Sequence, residues 1–243
     1  MLPLHFTFGP FSLSSYTALL VAAALVVALV TWRQTRCAAS AWGVLGVSMA
    51  AWLSGRIGFL VLHLEALREG QVPFGYAEHA AVLGAWIAHQ ALRRWRQRRV
   101  PSETTFAFAV CALGAALSLS CISHGCAFGR EVFWQVEGEH SLAWRLHVDW
   151  PDDTLTHAPR LPTQAFMAIW LGVGAALALI IRAPAALGVM WFALGDFGVQ
   201  FLRGDEATQW LGLRSYQWFD LVLVLSAAFA LARCRLKAAR AGL

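Results

Sequence analysis

The chain has 243 residues, of which 58% are hydrophobic and 14% charged, with a mean hydropathy of +0.57. Soluble domains carry about 25% charged residues, so this composition excludes an ordinary soluble enzyme, a disordered chain and a nucleic-acid binder, and points to a polytopic membrane protein. The net charge of +5 comes from 18 arginines and a single lysine, Lys237; in a membrane chain such an excess records topology before it records a partner.

At about 20 apolar residues per crossing, seven spans are predicted. The first covers residues 11–32 and ends at Arg33 and Arg36. The start of the chain lacks the positive region of a cleaved signal peptide, so this run is expected to be retained. The second span covers 41–64 and contains Gly55-Arg56. The third covers 74–92 and ends in the arginine cluster between Arg93 and Arg99. Pro101 and Glu103 read as the start of a fourth helix that runs to Cys121. The stretch from His124 to Pro162 is rich in Asp, Glu, His, Trp and Pro and cannot cross a bilayer. Spans five (164–181), six (186–202) and seven (216–232) follow, separated by an Arg182-Ala183-Pro184 turn and a polar loop over 203–214.

With the N-terminus outside and the C-terminus inside, most of the 19 basic residues fall on the inner side. The reverse orientation would place that excess outside, against the positive-inside rule. The fold expected is therefore an all-α membrane protein with seven transmembrane helices, N-terminus periplasmic and C-terminus cytoplasmic. It forms a single domain over 1–243, with a periplasmic segment over 125–162 inserted between helices 4 and 5.

A charge at bilayer depth costs at least about 2.5–3.5 kcal/mol and persists where it faces protein, water or a ligand. Three groups stand out. Arg56 follows a glycine in span two; its guanidinium suits a phosphate clamp, or a structural pair with Glu78 or Asp196. His79, beside Glu78 at the head of span three, is a candidate general base, or a packed histidine. The run Cys121-Ile-Ser-His124-Gly-Cys126-Ala-Phe-Gly129-Arg130 gathers two thiols, an imidazole and a guanidinium where span four ends. It admits an external disulfide or a thiolate nucleophile activated by a neighbouring base. Too few further ligands accompany it for a metal, and no metal or other cofactor is expected. Asp196 and Gln200, four apart, share a helix face; Asp220 lies in the outer half of span seven.

Taken in order, these residues resemble the prolipoprotein diacylglyceryl transferase (Lgt) family. Tyr16 falls where that family has a tyrosine in its first core span. Leu53-Ser-Gly-Arg-Ile-Gly-Phe59 resembles its Gly-Gly-Arg-Ile-Gly-Tyr, and His79 matches the histidine of its Ser-Phe-His-Gly-Gly. Gly129-Arg130 matches the end of its long signature, Arg160-Leu-Pro-Thr-Gln164 its Arg-His-Pro-Ser-Gln, and Phe201-Leu-Arg-Gly-Asp205 its Phe-Phe-Arg-Gly-Asp, with Gln217 following. The departures are specific. Ser118, Cys121, His124 and Cys126 stand where the signature has Arg, Asn, Asn and Glu. Met167 replaces a Glu, and Phe192, Asp196 and Gln200 replace a Tyr, an Arg and a Glu. The cysteine pair resembles that of a divergent branch of the family.

The resemblance implies an enzyme of the bacterial inner membrane that moves a diacylglyceryl or related lipid group from phosphatidylglycerol to a thiol, such as that of a lipoprotein signal peptide. Arg56, Arg130, Gln164 and Arg203 would bind the phospholipid. His79 and Tyr16 would serve catalysis, with Cys121, Cys126 and His124 as further candidates. Phospholipid, membrane and a signal peptide are the expected partners, and nucleic acid is not. Two alternatives stay open: a thiol-based enzyme using Cys121 or Cys126, and a non-catalytic lipid-binding protein on the same fold.

Overall fold

The computed structural model describes residues 5–8, 11–35, 39–70, 77–95, 101–122, 126, 128–138, 140–151, 154 and 156–240. Strands β1 (His5–Phe8) and β2 (Phe11–Ser14) pair antiparallel, His5 opposite Ser14, and lead into helix α1 (Ser15–Thr35). Then come α2 (Ala39–Leu62), the short α3 (Leu64–Arg68), α4 (Glu78–Trp95) and α5 (Glu103–Ile122). Between α5 and α8 the chain forms two short helices, α6 (Trp134–Glu137) and α7 (Leu142–Leu146), and the hairpin β3 (Val148–Pro151) and β4 (His157–Arg160). Helices α8 (Thr163–Ile180) and α9 (Ala185–Val199) follow, the latter extended by a 3-10 turn over Gln200–Leu202. A two-residue hairpin, β5 (Gln209–Trp210) and β6 (Leu213–Arg214), precedes α10 (Ser215–Arg240).

Each of the seven predicted spans overlaps a helix among the described residues. Three segments, Glu103–Ile122, Thr163–Ile180 and Ala185–Leu202, are long and apolar enough to cross a membrane, and Val21–Arg33 and Gly46–Leu62 are shorter apolar helices. The all-α expectation is corrected to a mostly helical fold with three small hairpins. At residues 5–14 the sequence alternates apolar and polar side chains, which suits a two-residue period and not a helical one. The first helix therefore starts at Ser15, four residues after the expected start of the span.

Local chemistry sets several helix ends. Ser102 caps α5, its Oγ accepting from the Thr105 amide at 3.0 Å. Glu103, in the first turn of α5, pairs with Arg93 at the end of α4 and accepts from the Ala185 amide at 2.6 Å. One carboxylate thus serves the N-terminus of its own helix and that of α9, where negative charge is favoured.

Helix α5 is the centre of the bundle and packs against α1, α8 and α9; α2 lies on α4, and α10 on α9. The core is made of Phe106, Ala107, Cys111, Leu171, Val189, Phe192 and Leu223 with many alanines. Small residues let backbones approach, the usual mode of packing where lipid removes the hydrophobic drive between helices. A Cβ on Gly188 of α9 would sit 2.5 Å from the Cα of Ala107 on α5. Between α8 and α9, Trp170 and Trp191 stack with centroids 4.3 Å apart. Each donates its indole N–H to the other's backbone carbonyl, at 2.8 and 2.9 Å.

Candidate functional site

The helix ends nearest the non-helical segments carry most of the buried polar groups. His79 stands in the first turn of α4, Asp196 in the last turns of α9, and Asp220 in the second turn of α10. Packing brings them together: His79 Nε2 lies 2.8 Å from Asp196 Oδ2 and 3.2 Å from Asp220 Oδ1. Carboxylates only accept, so Nε2 carries the proton and donates to Asp196. Asp196 Oδ2 also accepts from Gln200 Nε2 at 2.8 Å, which bears out the shared helix face. All three residues of the cluster are buried, Asp220 completely. The imidazole stacks on Tyr216 and meets Phe192 edge-on. Its Nδ1 has no hydrogen-bond partner among the described residues.

Beside this cluster lies a polar recess of about 40 Å³, lined by Glu78, Ser118, Cys121, Gln164, Asp196 and Arg203 among others. That is room for water-sized groups. Arg203 is held in place by Asp205, which accepts from Nε at 2.8 Å and Nη2 at 2.6 Å and also from Arg214 Nη2 at 2.9 Å. Burial works against the charge on Arg203, but Asp205, with Asp196 and Glu78 beyond it, holds its pKa above the ordinary value. Gln164 Nε2 donates to the Cys126 carbonyl at 2.6 Å.

An apolar cavity of about 470 Å³ adjoins the recess, and Glu78, Leu117 and Phe192 line both. Its other walls come from α1, α2, α4 and α5, including Val27, Val47, Ala51 and Val110. This volume is in the range of small-molecule and lipid-tail pockets.

The loop segments meet in a backbone weave. Gly129 bridges Arg203, and Glu131 bridges Arg160. Arg130 N donates to Leu202 O at 2.8 Å, Gly204 N to Phe128 O at 2.9 Å, and Leu161 N to Arg130 O at 3.2 Å. A Cβ on Gly129 would lie 2.0 Å from the Leu161 carbonyl oxygen, so only glycine fits there. The Gly-Arg, Arg-Leu-Pro-Thr-Gln and Phe-Leu-Arg-Gly-Asp runs are thus joined through their main chains.

Of the predicted site residues, Cys121, Gln164 and Arg203 line the recess, and His79 reaches it through Asp196. Cys121 and Cys126 form a disulfide, so neither offers a free thiol in this state. Arg130 is exposed and pairs with Glu137 instead of lining the recess. Arg56 is half-buried on α2, its guanidinium 5.9 Å from the Phe59 ring centroid, and is not a lining residue of the recess. Tyr16 begins α1, with its side chain outside the described residues; His124 lies outside them altogether. Sequence reasoning did not anticipate Asp196 and Asp220 as partners of His79, nor Glu78 as a wall of both cavities. The available signal was the depth of these acids within apolar segments.

Residues 3–233 match the family model for prolipoprotein diacylglyceryl transferase. The chain belongs to that family. It is therefore a multi-pass membrane protein of a transferase family of lipoprotein biosynthesis. It is 32% identical over 166 residues to phosphatidylglycerol–prolipoprotein diacylglyceryl transferase 2 of Streptomyces coelicolor, covering 61% of this chain and 50% of that protein. Phosphatidylglycerol–prolipoprotein diacylglyceryl transferase of Frankia casuarinae is 27% identical over 247 residues, covering 93% and 59%; that of Frankia alni is 27% identical over 246 residues, covering 92% and 63%. The chain thus spans between half and just under two thirds of the length of these relatives.

Proposed function

We propose that this chain is a diacylglyceryl transferase that takes its lipid from phosphatidylglycerol and gives it to a cysteine thiol of a prolipoprotein. In this reading residues 1–243 form one domain of seven spans in the bacterial inner membrane, with the N-terminus outside and the C-terminus inside. The 125–162 segment lies on the outer face. The observation that carries the reading is the juxtaposition of two cavities: a polar recess with Arg203 and Gln164, and an apolar cavity that shares its walls. That pairing suits phosphate oxygens on one side and hydrocarbon tails on the other.

In the reaction the acceptor thiolate attacks the glyceryl carbon next to the phosphate. A C–S bond forms, the C–O bond breaks, and glycerol phosphate leaves as an anion. Arg203, aimed by Asp205, stabilises the charge that grows on the leaving oxygen. Gln164 orients the head group. His79 takes the thiol proton on Nδ1, the ring nitrogen with no hydrogen-bond partner among the described residues, while Nε2 stays bonded to Asp196. Arg56 and Arg130 lie outside the recess and would attract the anionic head group without gripping it. A cysteine-based mechanism would first require reduction of the Cys121–Cys126 bond.

Purified protein in vesicles of phosphatidylglycerol, given a peptide with an acceptor cysteine, is expected to yield the thioether-linked lipid and free glycerol phosphate. Bound phospholipid without turnover would instead identify a lipid-binding protein on this fold.

A further inference from the structure

The His79–Asp196–Asp220 cluster is short of positive charge. Its two carboxylates are buried, Asp196 4% exposed and Asp220 fully enclosed. A protonated imidazole supplies one charge against their two. The surroundings do not make up the difference: Glu78 adds a further acid beside the cluster, and Arg203 is committed to Asp205 through both Nε and Nη2. The single N–H on Nε2 points at Asp196 at 2.8 Å, so the 3.2 Å contact to Asp220 is at best a shared one. Apart from that 3.2 Å contact, neither oxygen of Asp220 has a hydrogen-bond partner among the described residues, although both are buried. A buried ionised carboxylate is retained when it is paired or coordinates a cation.

From this geometry we infer that His79, Asp196 and Asp220 form a binding site for a divalent first-row metal cation, of which zinc is the representative case. The charges then close: two carboxylates and a neutral imidazole around a dication sum to zero, which suits a site enclosed among apolar helices. Two of the three ligand-to-ligand distances suit such a site. Metal–ligand bonds of about 2.0–2.1 Å in a tetrahedral site put neighbouring ligand atoms about 3.3 Å apart. Here the donor atoms are 2.8 and 3.2 Å apart along two edges, and all lie within 4.8 Å of one another. On metal binding the cation replaces the proton on Nε2, and that proton is released to solvent. An imidazole with two carboxylates suits zinc, manganese or iron(II), and lacks the thiolates that select copper(I). Asp196 also lines the recess, so the cation is tied to the cavity where head-group chemistry is proposed. The inference concerns binding: with the cation on Nε2 the neutral imidazole carries its proton on Nδ1 and cannot take one from a thiol, so metal binding and thiol activation are alternative states of His79.

The test uses full-length protein in detergent, stripped with chelator, reloaded with zinc alone and passed through a desalting column. The site predicts about one zinc per chain. Asp220→Asn and Asp196→Asn should each lower zinc affinity by about tenfold or more. His157→Ala, which removes a surface imidazole near Asp149, should leave the content unchanged. Should the Asp variants fail to fold, wild-type protein loaded with cobalt(II) decides: visible bands of nitrogen and oxygen ligation support the site, and a thiolate charge-transfer band overturns it by moving the metal to a cysteine. Zinc content below about a tenth per chain, full content in Asp220→Asn, or loss in His157→Ala would each overturn the inference. Zinc binding together with no lipid transfer by the metal-free protein would sink the transferase reading and leave the site standing. Transfer by zinc-free protein that cannot be reloaded would do the reverse.

Discussion

Replacing Gly129 by alanine tests whether the backbone weave sets the position of the recess. The added methyl would start 2.0 Å from the Leu161 carbonyl oxygen and 2.8 Å from its carbonyl carbon. Both are backbone atoms, so neither can swing aside as a side-chain end could. Ordinary contact begins near 3.4 Å, so the two segments must part by about 1.4 Å, more than a hydrogen bond tolerates. The bonds at stake are Arg130 N to Leu202 O and Leu161 N to Arg130 O. Losing both, with their buried groups left partly unpaired, costs about 2–4 kcal/mol. The same shift carries Arg203 away from its place by the order of 1 Å, and misplacement of that size costs about 100-fold in rate. Thermal unfolding in detergent reads the first effect, and lipid transfer from phosphatidylglycerol vesicles to a cysteine peptide reads the second. A Gly129→Ala protein within about 0.5 kcal/mol of wild type and within about threefold of its rate would refute the argument.

Three further outcomes follow from the same structure. Leu171, completely buried between α5 and α9, should cost about 2–5 kcal/mol on replacement by alanine, measured by thermal unfolding; a neutral result would mean that the core there is not packed as described. Cys126→Ser, or reduction of the disulfide, opens a loop with a sequence separation of 5 and should cost about 2 kcal/mol, seen as a lower melting temperature with reductant in wild type and no reductant effect in the variant. Asp205→Asn leaves Arg203 and Arg214 facing each other with one charged acceptor lost. It should destabilise by about 2–4 kcal/mol, with little relief from added salt because both arginines are largely buried.

The helices were legible because their signals are local. Arginine clusters at Arg93–Arg99, the Pro101–Glu103 start and the apolar runs between them need no knowledge of tertiary contacts, and each such run lies on a helix. The match of Gln200 to Asp196 was legible for the same reason, since four residues make one helical turn. The centre of the site was not. His79 is separated by 117 residues from Asp196 and meets Asp220 on yet another helix, and no periodicity carries information across that distance. The pairing of Cys121 with Cys126 stayed open because spacing in sequence does not reveal that their Cα atoms lie 5.0 Å apart. Arg56 and Arg130 attracted notice by residue type, yet charge alone does not say which way a long side chain points. Strand β2, Phe11–Ser14, was absorbed into the first span because hydropathy averaging hides a period of two.

The paired tryptophans between α8 and α9 bear on how a lipid could enter. Two reciprocal indole-to-carbonyl bonds latch these helices in one register. A slide of one residue, about 1.5 Å along the axis, would break both at once. Within a bilayer no water stands ready to take over the vacated groups. Gly174 and Gly195 seat the rings so closely that a Cβ at either would lie 2.4 or 2.2 Å from the nearest indole atom, which leaves little slack for the pair to shear. Helices α8 and α9 therefore move as one rigid wall. Any gate for a two-tailed molecule has to open elsewhere around the apolar cavity, whose other walls come from α1, α2, α4 and α5.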